Sequence, residues 1–552
     1  RNLSTAPWFT LRMDGTWNRT EPVQTGPCRE TKDSSTQTDS KIEGHDPRLS
    51  KVNLFTLLSL WMEVFPRDQP EDSESSQIRG NGLVVVHQGK ILGLHCSGVN
   101  LHAAQAAIIQ HGANLAGCQL FFSRRPCATC LKMIINAGIS QISFWPGDPE
   151  ISMLRSMFST QTNASSTSLS VTEDVLDAVA VEKLKSNSRP HICVLLQPLT
   201  LGLLQFVEET SRESDFMKKM TEDDPGLNEQ ELFNRQRLRH FREFSSKFLV
   251  GTSQQHKEIL IQMGLENLCV EPYFSNLRNN MAALVEVLAA VAAGLPQQQY
   301  GFYRENSATM ACHPGAVSQE VARHCIIQAR LLAYRTEDPK VGVGAVIWAR
   351  RRSAGSRGTG CLDLVGCGYN AYPAGSEYAE YPQMDCTQED RQRRKYRYII
   401  HAEQNALTFR TRDVKPEELT MMFLTKCPCD ECIPLIRGAG ITHIYTSDQD
   451  RDKDKGDISY LRFSTLKDIS KFVWQRNPSI PPESTSHLAS ELQLPILELF
   501  HFNCVLCFFY VKHCDLVVFL DGCIRKHSRQ TEQEYGNKKL CTENTKSSPS
   551  GS

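Results

Sequence analysis

Up to residue 50 the chain is polar, rich in Ser, Thr, Asp and Arg, and has no apolar period, which predicts a disordered arm over 1–50. Leu54, Phe55, Leu57, Leu58, Leu60, Trp61, Val64 and Phe65 then form a helix-like apolar cluster, closed by a polar stretch from Pro66 to Gly80. The apolar runs 82–87 and 91–95, split by Gln88-Gly89-Lys90, predict a hairpin. A helix over 101–109, a strand over 119–123, a helix over 127–137 and a strand over 139–145 continue the order, which is that of an α/β unit spanning 51–200. Within it the Ser/Thr-rich stretch 156–172 reads as a loop, and 191–197 as a further apolar run.

Residues 201–315 lack turn-punctuated strands and read as a mostly helical connector, with 281–293 its most apolar part. Packing between two halves is the role its pattern suggests. The earlier order then returns over 316–475: a hairpin from 341–348 and 364–370, a helix over 400–407, a strand over 421–425, a helix opening at Cys429 and a strand over 441–446. His102 and His401 are 299 residues apart and Cys127 and Cys429 are 302 apart, so the two copies keep step to within three residues. Internal duplication accounts for that agreement. The remainder, 476–552, reads as an irregular tail.

Charge narrows the function classes. Lys and Arg number 61 against 62 Asp and Glu over 552 residues, a net charge of −1, which excludes a purely electrostatic binder of polyanions. With 40 % hydrophobic and 22 % charged residues the balance is that of a soluble globular chain. The apolar run 499–511 is too short for the roughly 20 residues that span a bilayer, so no membrane association is expected. Residues 1–30 lack the apolar stretch of a secretory peptide, so the expected location is the cytoplasm, with the nucleus as a further site, and the twenty cysteines are not expected to form disulfides.

Several of those cysteines stand in a pattern with chemistry. In the second copy His401-Ala402-Glu403 lies near a helix start, and Pro428-Cys429-Asp430-Glu431-Cys432 opens another. One imidazole and two thiolates suit a tetrahedral zinc, and three protein ligands leave the fourth position for water. Zinc lowers the pKa of bound water from 15.7 to about 7. Glu403, two residues past His401, is placed to shuttle protons without ligating the metal. Cys429 and Cys432, three apart, are expected on one side of a first helical turn, where the helix dipole favours thiolates. The plainer reading of a lone C-x-x-C is half of a four-ligand structural site. The joint presence of H-x-E, P-C-x-x-C and their 28-residue spacing favours the catalytic one, the signature described for zinc-dependent nucleobase deaminases. Cys427 reads as a strand-end residue.

The first copy keeps His102 and Pro126-Cys127-Ala128-Thr129-Cys130, but Ala104 stands where the second copy has Glu403. Loss of a general acid–base costs roughly 10²–10⁴ in rate. The first copy is therefore expected to bind zinc through His102, Cys127 and Cys130 without reacting, its default role being to pack against the active copy.

Residues 316–475 resemble a deoxycytidylate deaminase domain of the cytidine deaminase-like superfamily, in Val341-Gly-Val-Gly-Ala-Val-Ile347, Gly368-Tyr-Asn370, His401-Ala-Glu-Gln-Asn-Ala406, Pro428-Cys-Asp-Glu-Cys432 and Gly438-Ala-Gly-Ile441. The duplicated layout is similar to that of a vertebrate group carrying cytidine and dCMP deaminase domains. The resemblance implies a duplicated three-layer α/β/α sandwich, zinc on His401, Cys429 and Cys432, proton transfer by Glu403 and a homo-oligomer. It also implies that Asn370 binds the sugar of the substrate; a turn asparagine at a strand end is the alternative. His as first ligand disfavours the free-cytidine deaminases, whose motif resembles C-A-E. A pyrimidine nucleotide, transfer RNA or a single-stranded polynucleotide remains as substrate. The 316–475 region has 24 Lys and Arg against 21 Asp and Glu, little for a groove that neutralises several phosphates, which makes a free nucleotide the leading expectation. The basic run Arg391, Arg393, Arg394, Lys395 and Arg397, interleaved with Tyr396 and Tyr398, reads either as a solvated helix face or as a phosphate contact. A non-catalytic zinc scaffold is the reading from another class, against which the intact Glu403 speaks.

Overall fold

The computed structural model describes residues 48–66, 80–98, 100–150, 166–296, 299–304, 317–336, 338, 342–351, 358–373, 397–455 and 458–479. The expected arm up to residue 47, the tail from 480 and most of the basic run, 391–396, lie outside them.

The chain enters the fold at Leu49, which is buried and donates its backbone N–H to the Tyr334 carbonyl at 3.0 Å. Ser50 caps α1 (Lys51–Glu63) by accepting from the Asn53 N–H. The first sheet then forms from β1 (Gly82–His87), β2 (Lys90–Cys96), β3 (Gln119–Phe122), β4 (Gln141–Phe144) and β5 (His191–Cys193), with α2 (Ala103–His111), α3 (Ala128–Asn136) and α4 (Ser166–Asn187) between them. Its order is β2-β1-β3-β4-β5: the hairpin and β3 are antiparallel, and β3, β4 and β5 run parallel.

Among the described residues the connector has five α-helices: α5 (Leu203–Arg212), α6 (Asp215–Asp223), α7 (Glu229–Phe248), α8 (Ser253–Gln262) and α9 (Tyr273–Ala293). After β6 (Tyr300–Arg304) the second copy follows as α10 (Gln319–Ala333), β7 (Gly344–Arg350), β8 (Leu362–Tyr369), α11 (Ala402–Thr408), β9 (Leu419–Leu424), α12 (Ile433–Gly438), β10 (His443–Thr446), α13 (Leu461–Thr465) and β11 (Ser470–Arg476). The second sheet has the order β6-β11-β10-β9-β7-β8. Apart from the added antiparallel edge strand β6, its pairings repeat those of the first sheet.

The repetition extends to local irregularities. Both hairpins carry a bulge at the matching place, between Val85 and Val86 and between Ile347 and Trp348. Both first strands begin on a glycine pressed against the preceding helix. A Cβ at Gly82 would overlap the Ser59 carbonyl oxygen of α1, and one at Gly344 the Ala329 carbonyl oxygen of α10. Only glycine lets strand and helix backbones come so close.

Side chains alternate across each strand, and in β7 this separates two cores. Val346 and Trp348 join a large core containing α1, α10, the connector and the first sheet. Ala345, Ile347 and Ala349 point the other way, to a smaller core with Ala402, Ala406, Ile433 and Ile436 of α11 and α12. Helices thus cover both faces of the sheet, giving the three-layer α/β/α sandwich in duplicate. In the second copy the site helices α11 and α12 lie on the face turned away from the larger core. Connector groups reach both copies: Trp145 Nε1 donates to the Phe248 carbonyl at 2.8 Å, and Trp474 Nε1 to the Phe216 carbonyl at 3.1 Å.

Three local readings need correction. Residues 166–172 are the start of α4, where a loop was expected, because Ser and Thr do not prevent a helix that Val, Leu and Ala continue. Residues 300–304 form β6, whose aromatic residues suit a sheet edge. The run 191–197 pairs with the sheet only as far as Cys193. Among the described residues no helix is long and apolar enough to cross a membrane.

Candidate metal centres

In the second copy Ala371 and Ile400 exchange backbone hydrogen bonds of 3.1 and 2.8 Å, which bring the end of the hairpin beside the entry to α11. His401 is the cap residue of that helix, in extended conformation, and its N–H donates to Gln404 Oε1 at 2.9 Å. In the first copy His102 donates in the same way to Gln105 Oε1, also at 2.9 Å. Sequence reasoning missed these two positioning glutamines, although a Gln three residues past a cap is a known helix-start signal.

β9 delivers Cys429 and Cys432, but they precede the helix. The Cys432 N–H returns to the Cys429 carbonyl at 3.1 Å and α12 starts at Ile433. The expected placement of both thiols in a first helical turn is therefore corrected. Pro434, which lacks an N–H and fits only a first turn, marks the true start. In the first copy Cys127 caps α3 and Cys130 lies inside its first turn.

His401 Nδ1 lies 3.2 Å from Cys429 Sγ and 3.3 Å from Cys432 Sγ, and the three donor atoms lie within 4.8 Å of one another. Zinc bonds of 2.0–2.3 Å at tetrahedral angles put ligand atoms about 3.5 Å apart, so this donor set fits the metal. Burial opposes charge on His401, yet its hydrogen bond with Cys429 raises its pKa to about 9. The bond from Cys432, with a smaller contribution from His401, brings Cys429 down to about 4, and Cys432 itself is raised. Glu403, on the first turn of α11, is buried, and that burial pushes its carboxyl up to about 7, with His401 pulling down and Cys429 pushing up. Such a carboxyl can hold or release a proton near neutral pH. Cys427 is buried and outside the cluster.

Asn370 is buried at the end of β8. Its Oδ1 accepts from the Val343 N–H at 2.8 Å and from Thr336 Oγ1 at 2.7 Å, which links Thr336, just past α10, to Val343, just before β7. Of the basic run only Arg397 and Tyr398 are among the described residues, just ahead of the bridge at Ile400.

The first copy assembles His102, Cys127 and Cys130 likewise, with His102 Nδ1 at 3.6 and 3.3 Å from the two sulfurs. Ala104 is buried where Glu403 stands in the other copy. A fourth residue that the sequence reading did not find, Glu150 from the loop after β4, completes the cluster. The twelve cysteines among the described residues are all free thiols.

Comparison with known proteins agrees with this layout. The family model of the cytidine and deoxycytidylate deaminase zinc-binding region matches residues 72–145 and 319–447, one stretch in each copy. Cytidine and dCMP deaminase domain-containing protein 1 of Danio rerio is 56 % identical over 448 residues, which are 81 % of this chain and 94 % of that one. Human deoxycytidylate deaminase is 35 % identical over 138 residues, 25 % of this chain and 70 % of its own. Among solved structures, the apo dCMP deaminase of cyanophage S-TIM5 matches with 19 % identity over 28 % of this chain and 99 % of that chain, at a TM-score of 0.20. The chain belongs to the family of cytidine and dCMP deaminase domain-containing proteins, and its cofactor is zinc.

Proposed function

We propose that the second copy hydrolyses the cytosine of a free (deoxy)cytidine nucleotide, dCMP or dCTP, to the uracil form with release of ammonia. The observation that carries this reading is the buried Glu403 carboxyl beside a three-donor His401, Cys429 and Cys432 cluster, to which no other described His, Cys, Asp or Glu adds a donor. His401, Cys429 and Cys432 hold the zinc, which when bound supplies a water made acidic enough to react at neutral pH. Glu403 takes one proton from the attacking water and passes it to the ring nitrogen, then takes the second from the new C4 hydroxyl and gives it to the amino group, which leaves as ammonia as the C4–N bond breaks and C4=O forms. Water and cytosine thus give uracil and ammonia, and Glu403 ends as it began. We assign Asn370 to the sugar of the substrate on its position one residue before Ala371, whose backbone bonds with Ile400 bring it towards the entry to α11.

A free nucleotide is favoured over a strand by the near balance of charge across 316–475 and by the likeness to human deoxycytidylate deaminase. The basic run at 391–397 favours the second reading, deamination of a single-stranded polynucleotide. Purified full-length protein offered cytidine, dCMP, dCTP and a cytosine-containing oligonucleotide separates them. Uracil product from dCMP or dCTP supports the proposal, and product from the oligonucleotide alone refutes it.

A further inference from the structure

We propose that the first copy holds its zinc in a closed four-donor site, with Glu150 as the fourth ligand, and that this metal is a structural clasp between the first copy and the connector. Glu150 is buried together with His102, Cys127 and Cys130, and one donor atom from each lies within 4.8 Å of the others. Its Oε1 stands 3.3 Å from His102 Nδ1, the same order of separation as that between His102 and the two sulfurs. These are the spacings of neighbouring corners around a tetrahedral zinc.

The carboxylate is oriented before any metal arrives. Its Oε2 accepts from the Cys127 N–H at 3.3 Å, Ser97 Oγ donates to Oε1 at 3.4 Å, and the Glu150 N–H is fixed to the Arg125 carbonyl at 2.9 Å. Partners of this kind fix ligand geometry and raise metal affinity. Two thiolates and a carboxylate around Zn²⁺ leave one net negative charge, and the buried Arg125 lies close enough for its charge to act on Cys127.

The two copies have therefore placed their buried carboxylate differently. In the second copy it is Glu403 on the helix, beside three donors. In the first copy that position is Ala104, and the carboxylate comes from the loop after β4 and fills the corner that water would need. The corresponding loop of the second copy sends its acid elsewhere: Asp450 pairs with Lys455 at 2.7 Å and Lys426 at 3.5 Å.

The segment that presents Glu150 is fastened to the connector. Trp145 Nε1 donates to the Phe248 carbonyl at 2.8 Å, the Pro146 carbonyl lies 2.8 Å from His256 Nε2, and Arg124, whose Nη2 reaches the Lys247 carbonyl at 3.3 Å, also donates to the Asp148 carbonyl at 3.4 Å. A metal at this point joins the start of α2, the start of α3 and a loop held by α7 and α8. A four-ligand zinc of this kind contributes to folding and has no place for a reacting water.

The test uses full-length protein loaded with two metals per chain. Zinc transfer to a colorimetric chelator should show a fast class from the open site and a slow class from the closed one. Glu150→Gln, which keeps the shape and removes the charge, should speed the slow class about tenfold or more with unchanged circular dichroism; release curves superimposable on wild type would overturn the proposal. If that variant does not fold, the wild-type protein substituted with cobalt(II) decides. Azide should shift the visible absorption of one cobalt of the two, and a shift of both would show the first site open and the proposal wrong.

Discussion

The indole Nε1 of Trp61, on the first helix of one copy, donates to the backbone carbonyl of His324, on the matching helix of the other, at 3.0 Å, and the two rings stack with centroids 4.6 Å apart. The next turn repeats the exchange, with Gln328 bonded both to Met62 Sδ and to the Trp348 indole at 3.1 Å. The duplicated halves are thus joined through core residues, and α1 is buried almost all round because it has a sheet on one side and its counterpart helix on the other.

Trp61→Ala should therefore lower the stability of both copies together. Removal of a buried Trp costs about 3–5 kcal/mol, and here it also leaves the His324 carbonyl without its indole donor. Calorimetry should show one transition moved to lower temperature. Two transitions, only the first of them shifted, would contradict a shared core.

His324 gives the same interface a pH dependence. It is fully buried between the rings of Trp61 and Phe65, and burial brings its pKa from the usual 6.5 down to about 3. The neutral ring is favoured in the fold while the unfolded chain takes up a proton below pH 6.5. Its contribution to stability is complete above that pH and falls by about 1.4 kcal/mol per pH unit on the way down towards 3. Urea titrations at pH 7, 6 and 5 should show a shallower acid loss in His324→Leu than in wild type. Parallel pH profiles would contradict this assignment.

The strand-starting glycines offer a test of the duplicated packing itself. Gly344→Ala forces a methyl group into the Ala329 carbonyl oxygen, and Gly82→Ala does so at Ser59. Backbone atoms cannot turn aside as side chains do, so each should cost about 1–3 kcal/mol or more in chemical denaturation. A loss within 0.5 kcal/mol, about the scatter of neutral surface changes, would show that the helices sit further from the strands.

Much of this architecture can be read from residues alone, for definite physical reasons. The hairpin at 82–96 shows because apolar runs flank a tight turn, and the clusters at 401–432 and 102–130 show because metal ligands need fixed residue types at fixed spacing. Glu150 is silent because its partners are 20 to 48 residues away and the second of two acids in a Pro-Gly-Asp-Pro-Glu loop carries no local signal. α4 is hidden for another reason: its apolar residues are spread around the helix, Val175, Leu176 and Val179 on an exposed side and Val181 on the buried one, so no single apolar stripe announces it. The start of α12 was legible in Pro434 and was obscured by the preceding C-x-x-C.

The most direct measurement of the central claim is the yield of uracil nucleotide from dCMP and dCTP by full-length wild type and by Glu403→Gln at equal zinc content. Product is expected from the wild type, with a loss of roughly 10²–10⁴ in rate in the variant and its zinc retained, since the proposed role of Glu403 is to move protons and not to hold the metal. Undiminished turnover in Glu403→Gln, or no product from either nucleotide with fully zinc-loaded wild type, would contradict that claim.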